Sequence, residues 1–279
     1  MKIIFFPPRL ISPPSRWGEC KIYTPAINRA VSFRYSRKKI IKPHSNNNKS
    51  KKNQIIQMFD EISKTYDVLN RIITLGIDSV WRRKIYRIIK KLKHEFVLDI
   101  ATGTGDLIIE LSKLNTKKII GVDISSKMLE IGKEKLKKRG LSKKITMLSG
   151  DSEDLEFKDK TFDIVTVAFG VRNFENLDKG LNEIKRVLKP KGVLIILETA
   201  IPKNWFVKLL HKVYMKIFIP LIGFIFSKNF YAYNYLSNSS KVFPHGKSFN
   251  NILKKNGFID VEDSPQTLGV ASIYFAKKR

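Results

Sequence analysis

The stretch "VLDIATGTGDLIIEL", residues 97–111, decides the fold. An apolar strand runs into a turn built on Gly103 and Gly105, and a helix follows on which Leu107, Ile108 and Leu111 recur at helical spacing. Glycine has no Cβ, so such a turn passes close to a ligand where another residue would clash. The helix aims its free N–H groups into the turn. Strand, glycine turn and helix in this order form the first unit of a sheet that binds a nucleotide-like ligand at its strands' carboxyl ends.

Working outward, strands are expected at 96–101, 118–123, 144–149, 162–168 and 192–198, with helices at 105–114, 126–139 and 177–189. This alternation predicts an α/β fold, a mostly parallel Rossmann-like sheet with helices on both faces. Upstream, Ile55, Phe59, Ile62, Tyr66, Leu69 and Ile73 mark one helical face, and Ile77, Trp81, Ile85, Ile88, Ile89 and Leu92 a second beyond Gly76, so 54–93 reads as an N-terminal helical cap. A helix at 247–256 and strands at 258–263 and 270–277 complete the chain; "IYFAKKR" ends on charge and is expected at the sheet edge. Residues 203–243 interrupt the order. Lys208, Lys212 and Lys216 stripe an apolar stretch whose longest unbroken run, 217–226, is shorter than the roughly 20 residues a spanning helix needs. A lid over an apolar substrate, a membrane-surface helix and core packing are the readings of this insertion.

The 279 residues suffice for one sizeable domain with appendages, expected over 51–279. Residues 1–50 hold six prolines, an asparagine run and no lasting period, and are expected to be a disordered basic extension. They suit a transit peptide superficially; the preferred reading is an upstream in-frame start that adds residues without a role. Cys20 is the single cysteine, which excludes an intramolecular disulfide and a four-cysteine metal site, and no metal is expected. The net charge of +28 favours nucleic acid or anionic membrane as a partner, although AT-rich codons for Lys, Ile and Asn explain it as simply.

Two ligand classes share the glycine turn. A dinucleotide site wants a third glycine where this chain has Ile108, and Asp99 and Asp106 disfavour a pyrophosphate. The acidic turn suits a ligand with a positive end, S-adenosyl-L-methionine. Asp99 or Asp106 is expected to meet its ammonium, Thr102, Gly103 and Gly105 to cradle it, and Asp123, followed by Ile124, to accept the ribose hydroxyls. Asp151 and Ser152, in "SGDSED" after the third strand, would reach the adenine.

Two further stretches narrow the family. "YDVLNRIITLGIDSVW" (66–81) and "RVLKPKGVLIILETA" (186–200) resemble the two signatures of the ubiquinone/menaquinone biosynthesis C-methyltransferases, and "FGVRNF" (169–174) and "YNYLSNS" (233–239) are similar to that family as well. Leu69 stands for Met, Thr74 for Ser, Asp78 for His, Lys191 for Gly and Ala200 for Ser. The resemblance covers about 54–279. It implies a class I S-adenosylmethionine-dependent methyltransferase that methylates a ring carbon of a polyprenylated quinol, with donor contacts at Thr104, Asp123, Asp151, Ser152 and Ala168, the last a serine in the family pattern.

A quinol carbon becomes nucleophilic once a neighbouring hydroxyl loses its proton, and a free phenol titrates near 10. A base or a positive charge is therefore needed. Arg172 and Asn173, just past the fourth strand, are the first candidates; Tyr66 and Asp67 on the helical cap come second, and His245 is a further base. Trp81, Phe169, Tyr233 and Tyr235 are expected to contact substrate, within an aromatic path that also includes Trp205, Phe206, Phe218, Phe224, Phe226 and Tyr231. Demethylmenaquinol is the preferred substrate because the C-terminal pattern looks like that of menaquinone users; 2-methoxy-6-polyprenyl-1,4-benzoquinol is the alternative. An RNA methyltransferase, a nicotinamide oxidoreductase and a non-catalytic partner are the competing classes. Peripheral contact with anionic membrane, no specific nucleic acid and a homodimer are the partner expectations. The expected location is the bacterial cytoplasm or the inner-membrane surface, or the mitochondrion if residues 1–50 are a transit peptide.

Overall fold

The computed structural model describes residues 41–43, 48–218, 221 and 230–279. The extension expected over 1–50 falls almost wholly outside them, as do Phe224 and Phe226.

Helix α1 (Lys51–Ile73) starts where the Ser50 hydroxyl accepts a hydrogen bond from the Asn53 amide at 3.2 Å, a cap for an otherwise orphaned donor. Leu75 and Gly76, both at positive φ, turn the chain into α2 (Ile77–Ile89). The expected alternation follows: β1 (Phe96–Ile100), α3 (Asp106–Leu111), β2 (Lys118–Asp123), α4 (Ser126–Lys138), β3 (Ile145–Ser149), β4 (Phe162–Ala168), α5 (Leu177–Val187) and β5 (Leu188–Thr199). The insertion forms α6 (Trp205–Val213), a π-helical turn (Tyr214–Phe218) and α7 (Phe230–Val242); α8 (Lys247–Lys255), β6 (Phe258–Gln266) and β7 (Ala271–Lys278) close the fold.

The seven strands lie in the order β3-β2-β1-β4-β5-β7-β6. The first five are parallel; β7 pairs antiparallel with β5, and β6 with β7. Alternate strand residues feed two cores, as a period of two requires. Leu98, Val165 and Ile196 pack with Leu181 and Ile184 of α5 on one face, whereas Val97, Ile164 and Ile195 pack with Trp81 and Ile85 of α2 and Leu129 of α4 on the other. A third cluster joins Ile55, Met58, Ile62 and Leu69 of α1 to Met128 of α4 and to Met215, Tyr233 and Tyr235 of the insertion.

The C-terminal strand is not the edge. β7 is enclosed between β5 and β6, and its residues Ala271–Tyr274 are buried. The edge is β6, in which exposed Asp260 and Glu262 alternate with half-buried Ile259 and Val261; its charge blunts the open side. β5 also begins earlier than expected. Phe162 pairs with Leu188 and Ile164 with Val193, and the slack is taken up at Lys191, whose φ is 63°.

Candidate active site

Strand order reverses between β1 and β4, and a crevice opens at their carboxyl ends. The two loops there are held close: Ala101 and Phe169 adopt φ of 52° and 57°, and a Cβ on Gly170 would lie 2.5 Å from that of Ala101, so only glycine fits. Two cavities meet at this point, sharing Tyr66, Ala101, Gly103, Ala168 and Phe169.

The smaller, about 80 Å³, is lined by Asp123, Ile124, Asp151, Ser152 and Asn173 and roofed by Lys52, Ile55 and Phe59 of α1. Asp123 accepts hydrogen bonds from the amides of Gly103 (2.7 Å) and Ser125 (2.9 Å), which fix both carboxylate oxygens at the cleft. Burial pushes its pKa up while these amides oppose the shift. Asp151 is engaged by an ion pair with Lys52 at 2.5 Å, and the backbone amide of Glu153 donates to its other oxygen. The roof is anchored by Lys51: its Nζ donates to the carbonyls of Arg172 and Phe174, and its amide donates to Glu175. Burial lowers the Lys51 pKa to about 8.

The larger cavity, about 290 Å³, is lined by the turn residues Asp99, Thr102, Gly103, Thr104 and Asp106, by Asp67, Asn70, Asp78, Trp81 and Arg82 of α1 and α2, and by Arg172, His211, Tyr214, Met215 and Tyr233. Asp99 is 1% exposed and accepts from the Thr166 hydroxyl at 2.5 Å; burial raises its pKa to about 7. The buried hydroxyl of Thr102 lies beside it. A buried carboxylate that forms no ion pair among the described residues fits the ammonium end of S-adenosylmethionine, as Asp123 fits its ribose. Gly105 lines neither cavity; at φ 83° it starts α3 behind the turn.

Several sequence-derived roles change. Asp106 does not face an empty site: Lys135, Arg82 and Arg71 surround it and hold its carboxyl below the usual range. Asp67 is not a free base, because it accepts from Lys135 at 2.9 Å and from the Thr104 hydroxyl at 2.5 Å. The side chain of Thr104 is thereby spent on α1. Tyr66 stands at the junction of the cavities, and burial raises its pKa, so it is a phenol and a donor at neutral pH. His245 lines neither cavity; its ring turns toward the Phe243 carbonyl. The histidine on the cavity wall is His211, whose pKa burial and Lys241 hold down, leaving a neutral ring at pH 7. Tyr235 also lies off both cavities, donating to Asn173 at 3.2 Å. Tyr233 is on the wall, with its hydroxyl buried.

Arg172 is where its position after β4 suggests. One guanidinium nitrogen donates to Glu198 at 2.6 Å and to the Phe169 carbonyl at 2.7 Å; Glu198 is wholly buried. Phe169 in turn packs on Trp81, with ring centroids 6.1 Å apart, and the Trp81 indole donates to Thr267. Glu198, Lys51, Arg82 and His211 went unread as site residues. Glu198 and Arg82 lie within or beside the two signature stretches, which was the available signal.

Residues 47–278 match the model of the ubiE/COQ5 methyltransferase family. The chain belongs to that family. It is an S-adenosylmethionine-dependent C-methyltransferase. It is 45% identical over 239 residues to a demethylmenaquinone methyltransferase of Bacteroides fragilis, covering 85% of this chain and 97% of the relative. It is 39% identical over 227 residues to the ubiquinone/menaquinone biosynthesis C-methyltransferase UbiE of Geobacter sulfurreducens, covering 81% and 88%. A putative S-adenosylmethionine-dependent methyltransferase of Methanococcus maripaludis shares the fold with a TM-score of 0.57 at 21% identity, covering 84% of this chain and 97% of that one. The family assignment removes the oxidoreductase reading that Ile108 already disfavoured.

Proposed function

We propose that the enzyme methylates the ring of demethylmenaquinol, a polyprenylated quinol. The observation that carries this reading is the joining of the two cavities at Ala101 and Phe169, with Arg172 beside the junction. Identity to the Bacteroides fragilis enzyme supports the naphthoquinol as substrate. The donor, when bound, supplies an electrophilic methyl. Asp123 and the Gly103 turn would hold its adenosyl end in the smaller cavity, which opens onto the larger one at Ala101 and Phe169. Trp81 and Phe169 flank the quinol ring there. Arg172, pinned by Glu198 and the Phe169 carbonyl, favours the phenolate form of the quinol oxygen by charge and by hydrogen bonding; guanidinium does not accept the hydroxyl proton, which leaves to water. As the ring carbon bonds the methyl, the methyl–sulfur bond breaks with its electron pair staying on sulfur, and the ring C–H proton then leaves to water, which restores the aromatic ring. Tyr66 donates a second hydrogen bond at the junction. Holding carbon and methyl in line contributes a large part of the acceleration.

The benzoquinol alternative keeps its place because the Geobacter sulfurreducens relative is named for both pathways. The test is transfer of labelled methyl by the full chain to reduced demethylmenaquinone and, separately, to the reduced methoxy-benzoquinone, with Asp123→Ala as control. Labelled naphthoquinol that vanishes in the control is expected; label in the benzoquinol alone would overturn the substrate assignment.

We further propose that the enzyme's basic surface meets anionic lipid and not nucleic acid, at the cytoplasmic face of a bacterial membrane. Nine lysines and no Asp or Glu lie between Thr199 and Ile259, the segment that carries α6 and the outer wall of the larger cavity. Among the described residues no helix is long and apolar enough to cross a membrane.

A further inference from the structure

The methionine arm of the donor is a zwitterion, and Asp99 answers only one of its charges. Its carboxylate needs a cation on the same cavity, within reach of the glycine turn. Two cationic side chains line the larger cavity among the described residues, Arg82 and Arg172. Arg172 lies on the β4 side and is committed to Glu198 and the Phe169 carbonyl. Arg82, on α2, faces the turn itself: one guanidinium nitrogen donates to Asp78 at 2.6 Å, and the other is 3.5 Å from Asp106, the residue after Gly105. That second contact is long, so this edge of the guanidinium is available to a carboxylate.

We propose that Arg82 binds the carboxylate of the donor's methionine arm, with Asp78 as the positioning residue that aims it. Asp78 is 2% exposed and accepts from both Thr74 and Arg82, so it is held between two turns of the cap. This accounts for the aspartate where the resembling signature has histidine: here the position orients an arginine. The charges around the turn already balance. Asp67, Asp78 and Asp106 face Arg82, Lys135 and the more exposed Arg71. The zwitterionic methionine arm adds no net charge to that set, whereas a ligand lacking the carboxylate would still bring its ammonium to Asp99 but leave Arg82 without a partner on the ligand. Arginine is suited to the role because its planar fork meets a carboxylate with two parallel donors.

The test is calorimetric binding of S-adenosylmethionine and of decarboxylated S-adenosylmethionine, which keeps the sulfonium and ammonium, to the full chain and its variants. The unaltered protein is expected to prefer the intact donor by about ten- to a hundredfold, the range for hydrogen bonds to a charged group. Arg82→Gln is expected to abolish that preference by weakening the intact donor alone. Arg82→Lys, which keeps the charge and protects against a folding defect, is expected to retain part of it, and Asp78→Asn to reduce it without changing affinity for the decarboxylated compound. Equal weakening of both ligands in Arg82→Lys and Asp78→Asn would show a merely structural role and overturn the proposal. An unchanged preference in Arg82→Gln would overturn it as well.

Discussion

Asp99 illustrates how a single burial event sets a binding property. Removing its carboxyl from water raises its pKa to about 7, the Thr166 hydroxyl opposing only in part. The neutral acid therefore predominates below pH 7, while a cation requires the carboxylate. Donor affinity is expected to fall from pH 7.5 to pH 5.5, approaching tenfold per unit at the acid end; an α-ammonium only becomes more fully charged in that direction, so the loss belongs to the carboxylate. Asp99→Asn is expected to bind weakly and without that slope; calorimetry across the range decides, and a flat profile in the unaltered protein would refute the assignment. Arg172 poses the harder residue-level problem, since its loss strands wholly buried Glu198. Arg172→Met is expected to cost about 3–5 kcal/mol of stability for that reason and about 10²–10³ in kcat. Adding Glu198→Gln should restore most of the melting temperature and none of the rate, which separates chemistry from folding. The glycine turn was legible in the sequence because strand end, turn and helix start are contiguous, and Asp123 because it ends the next apolar strand. The Arg172–Glu198 pair was not: 26 residues separate the two, and only the pairing of β4 with β5 brings them together.

At the scale of elements, the cap and the sheet differ in what their sequences reveal. Strands β1 to β4 and helices α1, α2 and α4 lie close to where apolar periodicity puts them, because each buries one regular face or two. The order of β6 and β7 could not be read from the charge ending the chain, since an edge is a property of pairing and not of one strand's composition. His211 was passed over for His245 because the insertion follows no period that ties it to the turn. Where β5 starts early, the chain carries Lys191 at φ 63° in a position the resembling signature gives to glycine. A left-handed conformation costs an ordinary residue about 1–2 kcal/mol, partly offset by the greater unfolded entropy of glycine. Lys191 is exposed, so Lys191→Gly loses no packing. It is expected to stabilise the protein by about 0.5–1 kcal/mol in chemical denaturation, and a destabilised variant would show that the strain is compensated by something the backbone does not reveal.

At the scale of the whole molecule, α6 turns an apolar face outward. No residue of this helix is buried, and Trp205, Phe206, Leu209, Leu210 and Val213 are exposed, followed by Ile217 and Phe218. Leaving them in water forgoes about 1.5–3 kcal/mol for each side chain that a partner would bury. A second copy of this face would set Lys208, Lys212 and Lys216 against their own counterparts, whereas an anionic bilayer gains about 1 kcal/mol per lysine near its surface. His211, Tyr214 and Met215, from the same helix and the turn after it, line the larger cavity, so a docked α6 would place that cavity beside the phase in which a prenylated quinol dissolves. The enzyme is expected to sediment with vesicles containing phosphatidylglycerol, to bind neutral phosphatidylcholine vesicles far less, and to be released as salt screens the lysines. Trp205→Asp with Leu209→Asp should abolish vesicle binding and turnover of vesicle-dissolved quinol, yet spare turnover of a short-chain quinol in solution, because neither residue lines a cavity. If the same variant instead dissociates a dimer and leaves vesicle binding intact, the face belongs to a second copy of the chain. A salt-insensitive attachment to both kinds of vesicle would mean that the lysines, and with them the excess charge of the segment, play no part in docking.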